Sequence, residues 1–577
     1  MPKQSIQLPD WHEGHIPSNS WRSLFRWGDP NAHKHPNPRL YNLMKSTFHM
    51  QDSDFETPVL GLEPMDTQLP VALPADKVEA LEAIVGEENL HSDTYTRIKA
   101  SYGKGMIDAL RLRQHIVENI PDIVLHPRNS EDVEKIVNYC SDEHIPLYVF
   151  GGGSSVTRGM EAVKGGVTID MSIHMDRVIE FNEENQTITV EAGMWGPELE
   201  NILQNAPKTL QAQRAYTTGH FPQSFEFSSV GGWIVTRGAG QNSTYYGKIE
   251  DIVVAQEYVT PRGIIRSGEY PRQATGPDLD QIMMGSEGTF GVLTSATLKV
   301  RHWAPENRKR FSYMFKNWDD ARNAAREIMQ GEFGYPSVFR LSDPEETDVA
   351  MKLYKVEGTI ADALLKKLGF QPMQKCLLLG FTDGEKAFSR NLNRKIRQTA
   401  GKYGAFNLSA FGVTKAWEHS RFTDPYMRED LMDHGIMIDT LECAVTWSQM
   451  KEVHARVREV VKSRPDTICM THLSHAYPQG ANLYWIFIAR IDKIKEYLDL
   501  QYSVLQTILE SGGAMSHHHG VGKQTSPWLE EQMGPQYMEL LHTLKDHFDP
   551  NHILNPGGTL GLDMNEAQKN KNWSKDL

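Results

Sequence analysis

Three successive histidines stand in a glycine-bounded loop near the end of the sequence. His517, His518 and His519 are preceded by Ser516 and followed by the Gly-Val-Gly-Lys segment 520–523. An imidazole gains or loses its charge close to neutral pH, so such a loop can move a proton or bind an anion. The alternative interpretation is a solvated surface loop without chemistry, which the flanking glycines disfavour.

Three segments rich in glycine and hydroxyl residues lie upstream, at 151–155, 224–240 and 285–291. The first follows an apolar run at 145–150 that predicts a buried strand. Small residues allow backbone N–H groups to approach a nucleotide pyrophosphate. A tight turn without a ligand is the alternative for a single loop, but three such loops favour a cofactor. None contains the GxGxxG pattern of a Rossmann domain or the Gly-Lys-Ser/Thr of a P-loop, which disfavours NAD-binding and nucleotide-hydrolase interpretations.

Composition excludes several classes of partner. The formal net charge of −14 over 577 residues argues against nucleic acid, because phosphate binding needs an excess of Lys and Arg. Four cysteines without a CxxC pair argue against a disulfide framework or a thiolate metal site, and they indicate a reducing compartment. No stretch approaches the ~20 apolar residues of a membrane span. We therefore expect a soluble, cytoplasmic protein.

The secondary structure predicted around these loops differs between two parts of the chain. Strands and helices alternate from about residue 117 to residue 300. Beyond that, strands at 310–315, 377–381 and 483–489 and helices at 319–330, 386–402 and 493–510 predict an antiparallel sheet flanked by helices. The predicted fold class is α+β. The predicted boundaries are 1–116 for an N-terminal extension, 117–303 for a cofactor domain of two α/β subdomains, 304–550 for a cap domain and 551–577 for a tail.

Residues 117–300 resemble the FAD-binding domain of the p-cresol methylhydroxylase/vanillyl-alcohol oxidase flavoproteins. The resemblance rests on the segment 121–127, GGGSS at 151–155, the segment 224–240 and GSEGTFG at 285–291. It implies FAD, which we expect to be bound non-covalently, with its pyrophosphate on the first glycine loop. The implied FAD-binding residues are Gly151, Gly152, Gly153, Ser154, Ser155, Gln223, Ser224, Glu226, Ser228, Ser229, Thr236, Arg237, Gly238, Ala239, Gly285, Ser286, Glu287, Gly288, Thr289 and Gly291.

Many members of this superfamily are D-2-hydroxyacid dehydrogenases, in which two motifs of the cap hold a divalent metal near the flavin. In an alignment with those motifs, Tyr477 and Tyr484 replace two ligand histidines, and His518 replaces a glutamate. Two phenols and an imidazole are a poor ligand set for that metal. The comparison therefore implies no metal and disfavours metal-dependent hydroxyacid oxidation.

The same departures resemble the alkyldihydroxyacetonephosphate (alkylglycerone-phosphate) synthases. The resemblance extends over residues 117–550, with gaps, and its most specific segments are SHHHGVGK at 516–523 and HAYPQGANLY at 475–484. It implies the exchange, without net redox change, of the acyl chain of acyl-dihydroxyacetone phosphate for a long-chain alcohol. The alternatives are a metal-independent FAD-linked oxidoreductase of a hydroxy acid or alcohol, and a non-catalytic flavin-binding protein.

This second resemblance also implies roles for particular residues. Tyr477 matches the catalytic tyrosine that removes the C1 proton, and the three histidines would bind phosphate or relay that proton. Arg428 matches an arginine placed to bind the leaving carboxylate, and Arg340 matches another active-site arginine. The alternatives are an ordinary half-buried strand tyrosine and an arginine that only pairs with an acidic neighbour. The expected partners are a lipid-like small molecule, a second copy of the chain in a homodimer, and a membrane surface.

Overall fold

The computed structural model of the chain describes residues 16–28 and 38–571. The remaining parts of the predicted N-terminal extension and tail lie outside the described residues. The first sheet has the strand order β1-β2-β4-β3, in which β2, β4 and β3 run parallel and β1 is an antiparallel edge strand. Its strands are β1 Leu90–His91, β2 Ile123–Leu125, β3 Leu147–Phe150 and β4 Val167–Asp170. Since β1 precedes residue 117, the extension contributes to this sheet, and the boundary at 117 stays a prediction.

The second sheet is antiparallel, with the order β5-β6-β10-β8-β9. Two further short strands, β7 and β11, pair with each other in an antiparallel arrangement. The strands are β5 Val178–Asn182, β6 Thr187–Glu191, β7 Tyr216–Thr217, β8 Val253–Thr260, β9 Gly263–Arg266, β10 Val292–Lys299 and β11 Arg301–His302. The glycine-rich segments 224–240 and 285–291 are connections between these strands.

The third sheet is formed by the cap and is antiparallel throughout, with the order β15-β12-β14-β13-β17-β18-β16. Its strands are β12 Lys309–Phe315, β13 Val338–Ser342, β14 Cys376–Thr382, β15 Phe406–Asn407, β16 Ile436–Thr446, β17 Ile468–Ser474 and β18 Gly480–Arg490. This arrangement confirms the predicted antiparallel sheet flanked by helices.

The helices of the first half of the chain precede the third sheet in the sequence. They are α1 Trp21–Phe25, α2 Pro38–Phe48, α3 Ala75–Val85, α4 Thr94–Lys99, α5 Met106–Arg113, α6 Ser130–Asp142, α7 Gly196–Gln204, α8 Ala206–Thr209, α9 Val230–Val235, α10 Ser243–Tyr246, α11 Ile249–Ile252 and α12 Leu279–Met283. The helices associated with the cap are α13 Trp318–Met329, α14 Pro344–Leu353, α15 Ile360–Lys367, α16 Lys386–Lys402, α17 Val413–Ser420, α18 Met427–Met432, α19 Met450–Ser463, α20 Ile494–Glu510, α21 Leu529–Met533, α22 Pro535–Phe548 and α23 Glu566–Lys569.

Helix α16 shows why periodicity predicts these elements well. The Glu385 side chain accepts hydrogen bonds from the backbone N–H groups of Ala387 and Phe388 and so caps the first turn. The buried positions recur every three or four residues, which gives the helix one face against the sheet. They are Ser389, Leu392, Ile396, Thr399 and Ala400.

The N-terminal helix α1 fastens one short helix of the cap. Arg22 forms buried ion pairs with Asp430 (3.0 Å) and Asp433 (2.7 Å), and Arg26 also pairs with Asp430 (2.9 Å). Removing one partner of a buried pair leaves an uncompensated charge, which is strongly destabilising. These pairs therefore hold α18, the helix that carries Arg428, against the N-terminal region.

Candidate active site

One large cavity lies between the glycine-rich loops of the two smaller sheets and the sheet of the cap. Its volume is about 1320 Å³. We call the part lined by the glycine-rich loops, His475, His518 and His519 the polar end. The apolar end is lined by cap side chains, among them Met314, Met351, Leu365, Leu377, Leu379 and Leu408. A single continuous space thus joins polar groups to an apolar chamber.

The first glycine loop presents backbone donors to the cavity. Among the described residues, no acceptor lies within hydrogen-bond distance of the backbone amides of residues 151–155. A Cβ atom on Gly152 would lie 2.3 Å from the carbonyl oxygen of Phe227, and one on Gly151 would lie 2.5 Å from Ser229 Oγ. Glycine is therefore required where the loops meet. Backbone amides that face a cavity without an acceptor form an anion-binding concavity, which fits the pyrophosphate of FAD.

Most of the predicted FAD-binding residues line this cavity, and some do not. Fourteen of them surround it: Gly151, Gly152, Gly153, Ser154, Ser155, Gln223, Ser224, Ser229, Thr236, Gly238, Ala239, Glu287, Gly288 and Gly291. Six lie behind the lining: Glu226, Ser228, Arg237, Gly285, Ser286 and Thr289. Within this second group, Glu226 accepts a hydrogen bond from the Tyr426 hydroxyl (3.0 Å) and Ser228 accepts one from Trp233 Nε1 (2.7 Å). We assign these two residues to the support of the loops.

The His loop, residues 516–523, is held at its start by a buried carboxylate of the cap. Oε1 of Glu442 on β16 accepts hydrogen bonds from the backbone N–H groups of His517 (2.9 Å), His518 (3.0 Å) and His519 (3.1 Å). The same oxygen accepts from Ser516 Oγ (3.0 Å), and Oε2 accepts a second contact from the His517 N–H (2.8 Å). One carboxylate therefore orders the backbone of all three histidines.

A second buried carboxylate holds the other end of the His loop. Glu287, in the glycine-rich segment before β10, accepts hydrogen bonds from the backbone N–H groups of Val521 (2.6 Å) and Gly522 (2.7 Å). Burial raises the pKa of Glu287 to about 7, against the opposing effect of these hydrogen bonds. The His loop is thus held between a carboxylate of the cap and a carboxylate of the cofactor region.

A hydrogen-bonded chain connects Tyr477 to the cavity. The Tyr477 hydroxyl lies 2.7 Å from His517 Nε2, and His517 Nδ1 lies 3.1 Å from His518 Nδ1. His518 and His519 line the cavity, whereas Tyr477 and His517 lie behind them. The structure therefore brings together Tyr477 and the histidines predicted from the sequence, with His518 between the phenol and the cavity.

Burial determines the charge of these groups. It raises the pKa of the Tyr477 phenol well above its ordinary value, and the nearby Glu250 and Asp251 add to that effect. Burial and the neighbouring imidazoles lower the pKa values of His517 and His518 well below their ordinary range. Lys248 donates a hydrogen bond to the carbonyl oxygen of His517 (2.7 Å), and its positive charge contributes to the lowered pKa values of His517 and His518. Neutral imidazoles beside a neutral phenol suit proton transfer better than permanent anion binding.

Glu442, His517 and His518 also meet a geometric criterion for a metal site. One potential ligand atom from each lies within 4.8 Å of the others. The Glu442 oxygens, however, already accept the hydrogen bonds of the His loop, and both His517 ring nitrogens have partners. A metal would have to displace these bonds, so the absence of a metal remains our prediction.

Both predicted arginines line the cavity, and each pairs with a carboxylate. Arg340 lies 2.5 Å from Glu346. Burial alone would raise the pKa of Glu346, but Arg340 and His472 lower it to about 2. Arg428 donates two hydrogen bonds to Glu429 Oε1 (2.8 and 2.6 Å), the acidic-neighbour pairing that was the alternative. Their roles toward a substrate remain predictions.

Sequence reasoning missed two residues of this centre. His475, with a strained φ of 47°, lines the cavity and lies 2.6 Å through Nδ1 from Ser243 Oγ. Its position two residues before Tyr477 was a usable signal. Glu442 carried no such signal, because an isolated Glu in a strand sequence does not indicate which loop it meets.

Comparisons with known proteins agree with this site. Residues 121–268 match the FAD binding domain family, and residues 304–559 match the C-terminal domain of FAD linked oxidases. The alkyldihydroxyacetonephosphate synthase of Dictyostelium discoideum is 30% identical over 91% of this chain and 88% of that protein. An uncharacterized FAD-linked oxidoreductase of Escherichia coli is also 30% identical, over 83% of this chain and 97% of its own length.

A solved structure of an alkyldihydroxyacetonephosphate synthase shares the fold. It superposes with a TM-score of 0.76 at 28% identity and covers 95% of this chain and 99% of its own. FAD is therefore the cofactor, and the residues around the polar end of the cavity fit it. The chain is an FAD enzyme and belongs to the family of FAD-linked proteins that contains the alkyldihydroxyacetonephosphate synthases.

Proposed function

We propose that the protein is an alkylglycerone-phosphate synthase, which exchanges the acyl chain of acyl-dihydroxyacetone phosphate for a long-chain alcohol. The observation that carries this proposal is the cavity, in which the proton-transfer chain at the polar end is continuous with an apolar end lined by cap side chains. A small hydroxy acid would leave the apolar end without an occupant. A long-chain alcohol or acyl group would fill it and bury its methylene groups.

The residues of the chain would divide the work as follows. The amides of residues 151–155 hold the cofactor pyrophosphate, and the bound flavin supplies the electron-rich centre at which the acyl group is exchanged. The C1 proton leaves to the chain formed by His518, His517 and Tyr477. If the proton between the two Nδ1 atoms resides on His518, its Nε2 is free to accept the C1 proton, and His517 donates to the Tyr477 oxygen. Arg428 or Arg340 orients the leaving carboxylate.

The alternative is an FAD-linked oxidoreductase of a hydroxy acid or alcohol. The relative from Escherichia coli supports it, since its identity to this chain equals that of the Dictyostelium synthase. The two functions differ in their need for an electron acceptor. Ether formation proceeds without one, whereas oxidation leaves the flavin reduced until an acceptor removes its electrons.

An anaerobic assay separates the two functions. The purified holoenzyme is incubated with palmitoyl-dihydroxyacetone phosphate and labelled hexadecanol, and labelled ether lipid is measured. We expect product without an electron acceptor, and its loss in the Tyr477→Phe and His518→Ala variants with flavin content retained. Absence of ether, together with bleaching of the flavin by a hydroxy acid or an alcohol, would replace the synthase by the oxidoreductase.

We also propose peripheral contact with a membrane beside the apolar end. Within the described residues, no helix has the length and apolar character to cross a bilayer. Ile360 (90% exposed) and Leu364 (52%) are apolar and exposed one turn apart on α15, Phe411 (72%) is exposed as well, and Leu364 and Phe411 also line the cavity. Such residues can enter the interface and admit a long-chain alcohol directly. Flotation with phosphatidylcholine vesicles should be reduced in an Ile360→Glu/Phe411→Glu variant, and unchanged flotation would contradict the contact.

A homodimer and non-covalent FAD complete the proposal. Met533 (42% exposed) at the end of α21 and Tyr537 (38%) and Leu540 (54%) on α22 are exposed apolar side chains that a second copy of the chain could cover. Light scattering should give twice the mass of the chain, and a Leu540→Glu variant should be monomeric. Denaturation in acid should release the flavin, and a flavin that stays with the polypeptide would contradict non-covalent binding.

A further inference from the structure

Arg421 differs from the other arginines of the cavity. Among the described residues, three arginines line this space: Arg340, Arg421 and Arg428. Arg340 and Arg428 each hold a carboxylate, at 2.5 and 2.6 Å. Within the same described part of the chain, no carboxylate lies within 4.0 Å of the Arg421 guanidinium. This guanidinium donates a hydrogen bond to Asn242 Oδ1 (3.1 Å). Arg421 thus offers the cavity a guanidinium without a direct counter-charge.

The surroundings of Arg421 are mostly aromatic. The residue is 8% exposed, and its guanidinium carbon lies 4.6 Å from the ring centre of Phe422 and 5.6 Å from that of Phe221. Aromatic faces attract a guanidinium, but they do not replace the hydrogen-bond acceptors lost on burial. A buried cation costs several kcal/mol unless an anion compensates it. An anionic ligand would supply that compensation.

The charged groups around Arg421 leave an excess of positive charge. Glu418 and Asp383 interact electrostatically with Arg421, and both carboxylates are bound to Arg308 (2.5 and 2.6 Å). Glu418 is shared with Arg310 (2.6 Å). Three guanidiniums therefore face two carboxylates. Burial, followed by the charge of Arg308, lowers the pKa of Arg421 to about 10, so the side chain stays protonated at neutral pH.

Arg421 is also connected to the proton-transfer centre. Its partner Asn242 directly precedes Ser243, whose Oγ lies 2.6 Å from His475 Nδ1. The His475 ring centre in turn lies 4.9 Å from that of His518. Arg421 and His518 thus line the same cavity and are linked through Asn242, Ser243 and His475.

We propose that Arg421 binds the phosphate group of the substrate. This inference rests on the proposed function for the identity of the substrate, whereas the anion site itself rests on the geometry. The neutral histidines lack the charge to hold a phosphomonoester, which carries between one and two negative charges at neutral pH. The planar fork of an unpaired guanidinium matches two phosphate oxygens. Arg340 and Arg428, already neutralised by carboxylates, are less suited to a dianion.

Ligand binding to the holoenzyme tests the site without requiring turnover. Dihydroxyacetone phosphate, inorganic phosphate and palmitate are titrated against wild type, Arg421→Gln and Arg421→Lys, with the flavin absorbance spectrum as the readout. We expect the Kd for dihydroxyacetone phosphate to rise by about 30-fold or more in Arg421→Gln. The increase should be smaller in Arg421→Lys, and palmitate binding should not change. Arg177→Gln, an exposed arginine outside the lining that pairs with Glu191, is the matched control and should bind like wild type.

Two results would overturn the inference. One is unchanged affinity for dihydroxyacetone phosphate in Arg421→Gln, and the other is a selective loss of palmitate binding, which would make Arg421 a carboxylate site. If Arg421→Gln fails to retain flavin, wild type is treated with phenylglyoxal and modified arginines are located by mass spectrometry. Protection of Arg421 by dihydroxyacetone phosphate supports the site, and modification that the ligand does not slow contradicts it.

The outcome is separable from that of the ether assay. Ether formation by wild type together with normal phosphate binding by Arg421→Gln would reject the inference and leave the proposed function intact. Loss of phosphate binding in Arg421→Gln without any ether formation by wild type would keep the anion site and reject the synthase.

Discussion

The polar end of the cavity is held by directional hydrogen bonds between distant segments, whereas the apolar end is formed by side chains that only pack against one another. At the polar end, Glu442 on β16 and Glu287 in the segment before β10 together accept hydrogen bonds along the His loop. At the apolar end, Met351 and Leu365 come from two helices of the cap and share a small hydrophobic cluster. Directional contacts fix atoms for chemistry, while apolar packing tolerates changes in volume.

The largest effect is expected at the polar end, in Tyr477→Phe. The change removes the hydroxyl that contacts His517 but leaves the ring in place. We expect kcat for ether formation to fall by about 10²- to 10⁴-fold, because general acid–base groups contribute this much. The measurement is labelled ether formed at saturating substrates. Tyr270→Phe, at an exposed position outside the cavity, is the control, and a Tyr477→Phe enzyme with normal kcat would remove the phenol from the mechanism.

A smaller effect is expected when the support of the His loop is changed. In Glu442→Gln one acceptor becomes an NH₂ group that faces backbone donors, so the loop should shift. We expect kcat to fall by up to about 100-fold, since small misplacements of reacting groups have effects of that size. Flavin content, read from absorbance, should remain normal. Glu510→Gln on the surface is the control. Equal activity of both variants would show that the carboxylate does not position the histidines.

Substitutions at the apolar end should change the preference for alcohol chain length more than the maximal rate. Leu365→Trp would fill part of the chamber that Met314 and Met351 line. We expect turnover of hexadecanol to fall by about 10-fold, while turnover of a shorter alcohol stays unchanged. Overpacking a cavity costs a few kcal/mol, and only the longer alcohol has to occupy the space that the tryptophan fills. Rates with alcohols of increasing length measure this. Leu279→Trp, at an exposed position on α12 outside the cavity, is the control, and an equal decrease for all lengths would contradict an alcohol chain in this chamber.

The smallest effect concerns stability and pH. The pKa of Glu287 rises from its ordinary value of about 4.5 to about 7 in the folded protein, so the folded state binds more protons between these values. The stability from this group is complete below about pH 4.5 and decreases as pH rises through 7, by about 3 kcal/mol in total. The melting temperature of wild type relative to Glu287→Gln should therefore be lower at pH 8 than at pH 5. A melting-temperature difference between wild type and Glu287→Gln that is the same at pH 5 and pH 8 would contradict the raised pKa.

Local patterns were sufficient to predict much of the fold. The helix predicted at 386–402 is α16 with the same limits, and the strand predicted at 377–381 lies within β14. Capping groups and the three- to four-residue spacing of apolar side chains act within one element, so they can be read from consecutive residues. The edge strand β1 was missed, because two residues carry no periodicity and its pairing with β2 is made across more than thirty residues.

The sequence by itself determined which chemical groups the site contains, since the His loop and the glycine-rich segments are contiguous. Their motifs also carried the family resemblance that implied FAD. Only the tertiary structure decided how these groups are arranged: His518 lies between Tyr477 and the cavity, and two distant carboxylates hold the loop. It also decided which arginines already have a counter-charge. Burial and pairing depend on contacts between segments far apart in the chain, and these contacts set pKa values and charge.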